Sequence, residues 1–527
     1  MSRGKAASNT SVLFLVTMAL AVVAKLSGMI REVIIGWYYG TGAELDLFYY
    51  IYSIPELFMT GITAAVAVAV IPFLKAKQDP DFAANKAIIS QVIVIGTLFF
   101  STVTAAALLL HKPILAFYLA KFDAPVTGAY GILLVSCLQI VPTFLCAILL
   151  AVETKLEKFK TITLLSLPLN LASVLVMALL NQPVGVLSIG IGLLAGVLLQ
   201  LGYLFWDLRR EGIRYELKLN RPRVKEAKFY EFLLLLLPVY FGTVVQRAGV
   251  FIDRYLAAGL EEGSISALSY ADRIIQMAVM IIVSTIGMIL FSKISHTIHH
   301  DEEGTVELLG STIVFSCLTI LPVSAFLAVF SGDITQLLFG RGQFDEKGLQ
   351  MTSIALTGYS IGLFGIGMRY ILNRVYFAQH NVKVPTVNTI QALVINVVLS
   401  VVLCRYYGLL GIAVAGSVTM LLSSIMLAVK LEKSFRFLSR MDWKDAARSF
   451  LLSLILLAVW LAVKQFVLPG VPGTFVRLAI SGAVGALVFV TGAKLLGIRE
   501  FGKLTAAFGR KFKWSKSKRS GTVLQKG

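Results

Sequence analysis

Long apolar stretches, interrupted by short polar or glycine-containing breaks, run almost the whole length of the chain. A helix needs about 20 predominantly apolar residues to cross a hydrocarbon layer. Windows of that kind predict spans near 11–39, 46–74, 84–110, 127–152, 159–180, 184–206, 229–258, 266–292, 306–331, 350–377, 384–404, 408–430, 448–468 and 474–496. Several are closely joined, and the pair 159–180 and 184–206 reads as two antiparallel helices with a tight turn at Asn181-Gln182-Pro183. The pattern predicts an all-α polytopic membrane protein with about fourteen transmembrane helices. An even count puts both ends on one side.

The breaks alternate in charge, which checks the spans independently. Lys75, Lys77 and Lys86 fall on one side, as do Lys155, Lys158 and Lys160. The same side takes the basic segment from Arg209 to Lys228, the group Lys430, Lys433, Arg436, Arg440 and Lys444, and the tail from Lys494 to Lys526. Opposite lie Glu44 in Gly40–Leu45, the turn at Gln182, Glu261-Glu262 and a mixed-charge loop at 332–349. Because cytoplasmic loops are enriched in Lys and Arg, both termini are predicted to be cytoplasmic.

Composition agrees. Of 527 residues, 57% are hydrophobic and 15% charged, against roughly 45–50% and 25% for soluble domains. Mean hydropathy is +0.81. The 48 Lys+Arg against 29 Asp+Glu give a net charge of +19, which in a soluble chain would suggest nucleic acid. Here topology accounts for most of it, and the basic stretch Arg510–Arg519 reads as a segment lying near anionic membrane lipids, with no nucleic-acid partner expected. Near the N-terminus, Ala19-Leu20-Ala21 has the small-residue character of a signal cleavage site. The apolar run continues past it to Tyr39, so a retained span is expected.

Sliding the chain on itself by 221 residues places Gly28, Glu32, Gly42 and Tyr49 on Gly249, Asp253, Gly263 and Tyr270. Both segments open a block of six spans, so the blocks are expected to be parallel lobes, an arrangement in which substrate binds between halves that rock alternately open. The expected organisation is a first six-helix lobe over 1–206, a basic cytoplasmic linker over 207–228, a second lobe over 229–432, two additional C-terminal helices over 433–497 and a basic tail over 498–527.

Ionisable residues at membrane depth are costly and are functional candidates by default. They concentrate in the first span of each half. Lys25, Arg31 and Glu32 lie on the first, and Asp46 opens the second; Arg247, Asp253 and Arg254 lie on the seventh, Asp272 and Arg273 near the start of the eighth, Arg369 and Arg374 on the tenth. Such groups must face a wet cavity or a partner. Cations outnumber acids among them, and arginine forks suit phosphate or pyrophosphate. The competing reading is structural: Arg31 with Glu32, Arg254 with Asp253 and Arg273 with Asp272 are adjacent opposite charges, and Arg254, Arg273 and Arg374 lie near enough to span ends to reach an interface.

Other chemistry is sparse. Cys137, Cys146, Cys317 and Cys404 sit in or beside apolar runs and read as buried thiols. His296, His299 and His300 lack a closed ligand set, so a solvated loop and no metal are expected. Gly340-Arg341-Gly342 has turn spacing. No Walker sequence and no nucleophile–base arrangement is visible, so neither a cofactor nor an enzymatic activity is expected.

The stretch Lys25-Leu-Ser-Gly-Met-Ile-Arg-Glu, then Gly40-Thr-Gly-Ala-Glu-Leu-Asp-Leu-Phe, Ile54-Pro-Glu-Leu-Phe and Val70-Ile-Pro-Phe-Leu, resembles the opening of the MurJ (MviN) family of lipid II flippases. Gly263-Ser-Ile-Ser-Ala-Leu-Ser-Tyr-Ala-Asp-Arg, Leu338-Phe-Gly-Arg-Gly-Gln-Phe-Asp, Arg374-Val-Tyr-Phe-Ala-Gln and Lys383-Val-Pro-Thr are similar too, so the resemblance spans roughly 10–430. It implies the multidrug/oligosaccharidyl-lipid/polysaccharide exporter superfamily, with two six-helix lobes and two extra helices whose groove takes a lipid tail. Position by position, Arg31 and Glu32 match the family's Arg-Asp pair, Asp46 its acidic residue opening the second helix, and Arg273 its Ala-Asp-Arg arginine. Lys25 stands where many members have arginine, keeping the charge without the fork. After Pro55 the chain reads Glu56-Leu-Phe-Met-Thr-Gly, where members typically carry an arginine and an acidic residue before the glycine.

The resemblance implies a flippase that moves lipid II from the inner to the outer leaflet by alternating access. Lys25, Arg31, Arg254 and Arg273 would bind the pyrophosphate, Glu32, Asp46, Asp253 and Asp272 would serve as gate or charge partners, and Arg247, Arg369 and Arg374 would line the cavity. The expected partners are a polyprenyl-pyrophosphate-linked saccharide, membrane lipids and a coupling ion. The missing charges after Pro55 leave an exopolysaccharide or other polyprenyl-linked oligosaccharide as an alternative substrate. A cation-coupled drug antiporter would want an acidic, aromatic cavity, which the basic deep charges disfavour.

Overall fold

The computed structural model describes residues 24, 26–73, 82–122, 128–156, 158–210, 227–297, 301–379 and 381–503. Lys25, most of the basic linker and the tail beyond 503 lie outside them, as do Lys75, Lys77, His299 and His300.

Among the described residues every regular element is helical. The first helix, α1, covers 26–39. There follow α2 (Ala43–Phe73), α3 (Phe82–Leu109), the short α4 (His111–Leu119), α5 (Ala129–Leu138), α6 (Ile140–Lys155), α7 (Phe159–Leu164), α8 (Ser166–Val184) and α9 (Leu187–Arg210). Beyond the linker come α10 (Ala227–Ala257), α11 (Ser264–Thr297), α12 (Glu302–Val329), α13 (Ser331–Phe339), α14 (Glu346–Ala378), α15 (Lys383–Phe435), α16 (Phe437–Arg440), α17 (Trp443–Ala462) and α18 (Thr474–Leu495). Ten of the described helical stretches are long and apolar enough to cross a membrane. The chain is a multi-pass helical membrane protein.

Three details differ from the apolar-window reading. The turn expected at Asn181–Pro183 is instead the last turn of α8: the Asn181 side-chain amide donates to the carbonyls of Met177 (3.1 Å) and Ala178 (3.0 Å), and the chain reverses at Gly185 (φ 56°, ψ −139°). Proline is tolerated there because the helix is ending. The expected loop over 332–349 contains α13, which has Asp333 in its first turn, where a carboxylate favours the helix N-terminus. Finally, the spans read as 384–404 and 408–430 both fall within α15, whose 53 residues are helical except at Gly408 (φ 55°, ψ −129°). A straight helix of that length would measure about 80 Å. The chain instead folds back on itself: a side chain at Gly411 would run into the Leu403 carbonyl, and Asn388 and Ser423 exchange hydrogen bonds of 3.1 and 2.6 Å. Only glycine readily adopts the backbone angles of the reversal.

The helices pack as two compact units. One comprises residues up to Arg273 with Phe339–Thr352 and Leu393–Ile412; the other comprises Ile274–Leu338, Ser353–Ala392 and the residues from Ala413 onward. In the first, α2 packs along α10 and α6, and α8 along α9. Its core joins Met59, Ile62, Val66 and Val70 of α2 to Phe144 and Ile148 of α6 and to Leu204 and Leu208 of α9. The second has one cluster around Leu309, Ile371, Leu427 and Phe437, and another around Phe330, Leu452, Leu456 and Trp460, where α17 meets α12.

Two glycines matched by the 221-residue offset make similar contacts inside the first unit. Gly28 on α1 faces the side-chain amide of Asn170 on α8, and Gly249 on α10 faces that of Asn396 on α15. In both places a missing side chain lets a membrane helix meet a polar partner closely.

Candidate functional site

Along α2, Tyr49, Tyr52, Glu56, Thr60 and Thr63 recur every three or four residues, which puts them on one helical face. Ile189, Leu193 and Val197 recur every four along α9 in the same way. These faces, with Arg31, Glu32 and Ile35 of α1, Gln139, Thr143 of α6 and Arg273, in the third turn of α11, line a cavity of about 390 Å³ in the first unit. Its apolar wall is helix packing; its polar wall holds the charges that the hydrocarbon layer would reject.

Glu32 is the hub of those charges. It is 3% exposed, a depth at which a lone carboxylate is untenable without partners. Arg31 donates to its Oε1 at 2.7 Å, the Tyr49 hydroxyl donates to Oε2 at 3.1 Å, and Arg273 Nε lies 3.5 Å from Oε1. Arg31 also donates to Asn170 Oδ1 at 3.1 Å, and Asn170 in turn donates to Ser27 at 2.8 Å. The buried Arg31 Nε has no acceptor among the described residues.

A second pair lies beside the first. Arg254 donates to Glu56 Oε2 and to the Tyr49 carbonyl, both at 3.0 Å. Tyr49 therefore touches both pairs, through its hydroxyl to Glu32 and through its carbonyl to Arg254. Arg273 and Arg247 also lie near enough to Glu56 to act on it electrostatically. The cavity wall itself is balanced, with Arg31 and Arg273 against Glu32 and Glu56, while Arg254 sits behind Glu56. Among the described residues the arginine excess appears only when Arg247 and Arg254 are counted with the wall.

At the α1–α2 turn, acids and helix N-termini are exchanged reciprocally. Asp46, 4% exposed, accepts from Gly263 N (2.8 Å), Ser266 N (2.7 Å) and Ser266 Oγ (2.6 Å), capping α11. Glu262 accepts from Ala43 N at 2.8 Å, capping α2. Tyr270 donates to the Gly40 carbonyl at 3.1 Å, and Gln343 N donates to the Trp37 carbonyl at 2.9 Å. Each carboxylate meets unpaired N–H groups and the positive end of a helix dipole.

The remaining sequence candidates fall elsewhere. Asp253 accepts from Ser400 at 2.8 Å, and Asp272 acts electrostatically on Arg273. Arg369 and Arg374 belong to the second unit, where Arg369 donates to Thr389 (2.8 Å) and Arg374 to the Tyr370 hydroxyl (2.5 Å); neither lines this cavity. Lys25 lies outside the described residues. No cluster of metal-ligating side chains occurs among those described. Glu56, Tyr49, Asn170 and the hydroxyl and amide groups of Thr60, Thr63, Gln139 and Thr143 were not among the sequence candidates. Their signal is the helical spacing of polar residues inside otherwise apolar runs.

Comparison with known proteins bears on this cavity. A family profile described as "Lipid II flippase MurJ" matches residues 35–481. A Vibrio cholerae protein named probable lipid II flippase MurJ is 25% identical over 437 residues, covering 78% of this chain and 81% of its own length. A Treponema pallidum protein of the same name is 24% identical over 433 residues, covering 79% and 81%. Among solved structures, one described as lipid II flippase MurJ in an inward closed conformation aligns with TM-score 0.76 at 21% identity, covering 91% of this chain and 98% of that one. An inward-facing multidrug transporter of the MATE family aligns with TM-score 0.65 at 13% identity, covering 81% and 99%. The structural likenesses show a shared fold.

Proposed function

Because the chain belongs to the MurJ family of lipid II flippases, we propose that this cavity receives the pyrophosphate of lipid II and that the protein carries the lipid across the bacterial cytoplasmic membrane to the outer leaflet. The observation that carries this reading is the meeting of Arg31 and Arg273 on one cavity wall around the buried carboxylate of Glu32. Guanidinium forks recognise phosphate oxygens through paired charge-assisted hydrogen bonds. Glu32 holds both guanidinium groups. A pyrophosphate competes for the same N–H groups. Lys25, six residues before Arg31 on the same predicted span, is proposed as a further cation for the substrate.

The lobes 1–206 and 229–432 would rock about the bound anion, with helices 433–497 accommodating the lipid tail and both termini cytoplasmic. In that cycle the reciprocal caps Asp46 to α11 and Glu262 to α2 hold the outer end closed and part when it opens. Substrate acts by rebalancing charge: once the anion takes the arginines, the acids must find new partners, which biases a two-state equilibrium. A membrane potential can drive the step, since one charge crossing 100 mV is worth about 2.3 kcal/mol; a coupling ion would act through the same charge balance.

One observation favours a second substrate. Glu56 occupies the wall after Pro55, where resemblance to the family leads one to expect arginine, so another polyprenyl-linked oligosaccharide is the alternative cargo. Depletion in cells without another lipid II flippase separates the two. Inner-leaflet lipid II accumulates and cells lyse if lipid II is the cargo; normal wall growth with loss of an exported polysaccharide overturns that assignment.

A further inference from the structure

Glu56 sits where an anionic ligand would be expected. Its Oε2 lies 3.0 Å from Arg254 NH1, and Arg247 and Arg273 act on it from nearby. Glu32 occupies an equivalent position between Arg31 and Arg273. The two carboxylates thus fill the centre of a four-arginine constellation, and Tyr49 touches both pairs. They differ in access: the Glu32 side chain is 4% exposed, whereas that of Glu56 is 22% exposed and faces the cavity in front of Arg254, which is 9% exposed. Glu56 can therefore leave Arg254 and be hydrated in the cavity, whereas Glu32 is held by three side chains and has no comparable water to turn to.

We propose that Glu56 is a built-in competitor for the substrate anion: it occupies Arg254 while the cavity is empty, and the diphosphate displaces it, so that Arg254 joins Arg31 and Arg273 only in the loaded protein. This rests on the pyrophosphate reading above and adds to it a residue that sets affinity without contacting the substrate itself. The physical reason for such a competitor is release. Four unopposed arginines would bind a diphosphate tightly, and a carrier that binds too tightly cannot discharge its cargo. A tethered carboxylate lowers the gain on binding, and by returning to Arg254 it helps eject the anion at the far side. It also keeps Arg254 from being buried without a counter-charge in the empty state, which is strongly destabilising.

The test measures binding of farnesyl diphosphate and farnesyl monophosphate to the full-length protein in lipid nanodiscs, together with its thermal stability. Glu56→Gln is expected to bind the diphosphate about fivefold or more tighter than the parent, with a smaller gain for the monophosphate, and the gain should vanish in the double variant Glu56→Gln/Arg254→Gln. In a reconstituted flipping assay Glu56→Gln should lower both the half-saturating concentration and the maximal rate, a split that simple loss of packing does not produce. Glu56→Asp retains the charge and weakens the pair, so it provides the measurement if the glutamine variant does not fold; it should bind tighter than the parent. A folded Glu56→Gln or Glu56→Asp protein that binds the diphosphate no more tightly, while the parent binds it and Arg273→Gln does not, overturns the competitor role and leaves the flippase reading standing. A parent protein that binds no polyprenyl diphosphate overturns both.

Discussion

Asp46 makes three hydrogen bonds with both oxygens while almost fully buried, and two of its donors are the otherwise unpaired N–H groups at the start of α11. Replacing Asp46 with alanine removes this cap at a cost of about 1–2 kcal/mol, and on the gating proposed above the whole of that cost falls on the closed state. Outer opening should therefore become more frequent. With the four native cysteines replaced and a reporter cysteine at Thr60 on the cavity wall, a membrane-impermeant maleimide applied from outside should label the Asp46→Ala protein several times faster than the parent; equal rates would remove Asp46 from the latch. At the neighbouring network, Arg31→Lys and Arg273→Lys keep charge but lose the fork, so each should weaken diphosphate binding about tenfold with little change in melting temperature, read in the same binding assay. Arg31, Glu32, Asp46 and Arg273 were legible in the sequence because charge inside an apolar run is conspicuous. Glu56 was visible only as a departure from a family pattern. Its role depends on Arg254, nearly 200 residues away, and no local spacing links the two. The sequence also pairs Arg254 with its neighbour Asp253, whereas in the structure Arg254 reaches Glu56 and Asp253 reaches Ser400.

At the scale of elements, apolar windows located helices well and their breaks poorly, because reversals here depend on single glycines and on side chains that bond the final carbonyls. Gly408 is the clearest case: the apolar pattern marks both arms of α15, and the φ of 55° that divides them leaves no mark beyond one glycine. Valine there should cost about 1–3 kcal/mol through backbone strain alone, since nothing crowds the position, so the melting temperature should fall while Gly408→Ala falls less. The contact of α8 with α9 was also readable in principle. Gly192 and Gly196 are four apart, and a side-chain carbon on them would stand 2.8 Å from the Ser173 carbonyl and 2.7 Å from the Leu169 carbonyl. Those are backbone atoms that cannot step aside, and small residues four apart are how membrane helices approach closely. Gly196→Leu should therefore force α8 and α9 apart and lower thermal stability more than Gly202→Leu on the same helix, where there is open space; equal losses would mean that propensity, not contact, sets the cost.

For the whole molecule, the proposed topology distributes the net charge of +19, and that distribution makes a prediction independent of the cavity. The acids at the α1–α2 and α10–α11 turns, Glu44, Glu261 and Glu262, stand at one end of the first unit, where Glu262 caps α2 and Lys347 reaches Glu261 at 3.1 Å. Arg209 and Arg210 close α9, a helix that begins beside Gly185, whose carbonyl accepts from Tyr39 at that same end. One crossing of about 24 residues separates the two positions, so they must emerge on opposite sides of the membrane. Lys430, Lys433, Arg436 and Arg440 follow the returning arm of α15, and the positive-inside rule puts them with Arg210. Single cysteines at the exposed positions Glu261, Arg210 and Arg440 test this directly. In intact spheroplasts an impermeant thiol reagent should modify Glu261→Cys at once, and Arg210→Cys and Arg440→Cys only after the membrane is opened. The reverse pattern would turn the molecule over, so that the arginine cavity served uptake rather than export, and the direction assigned to the lipid would have to be reversed with it.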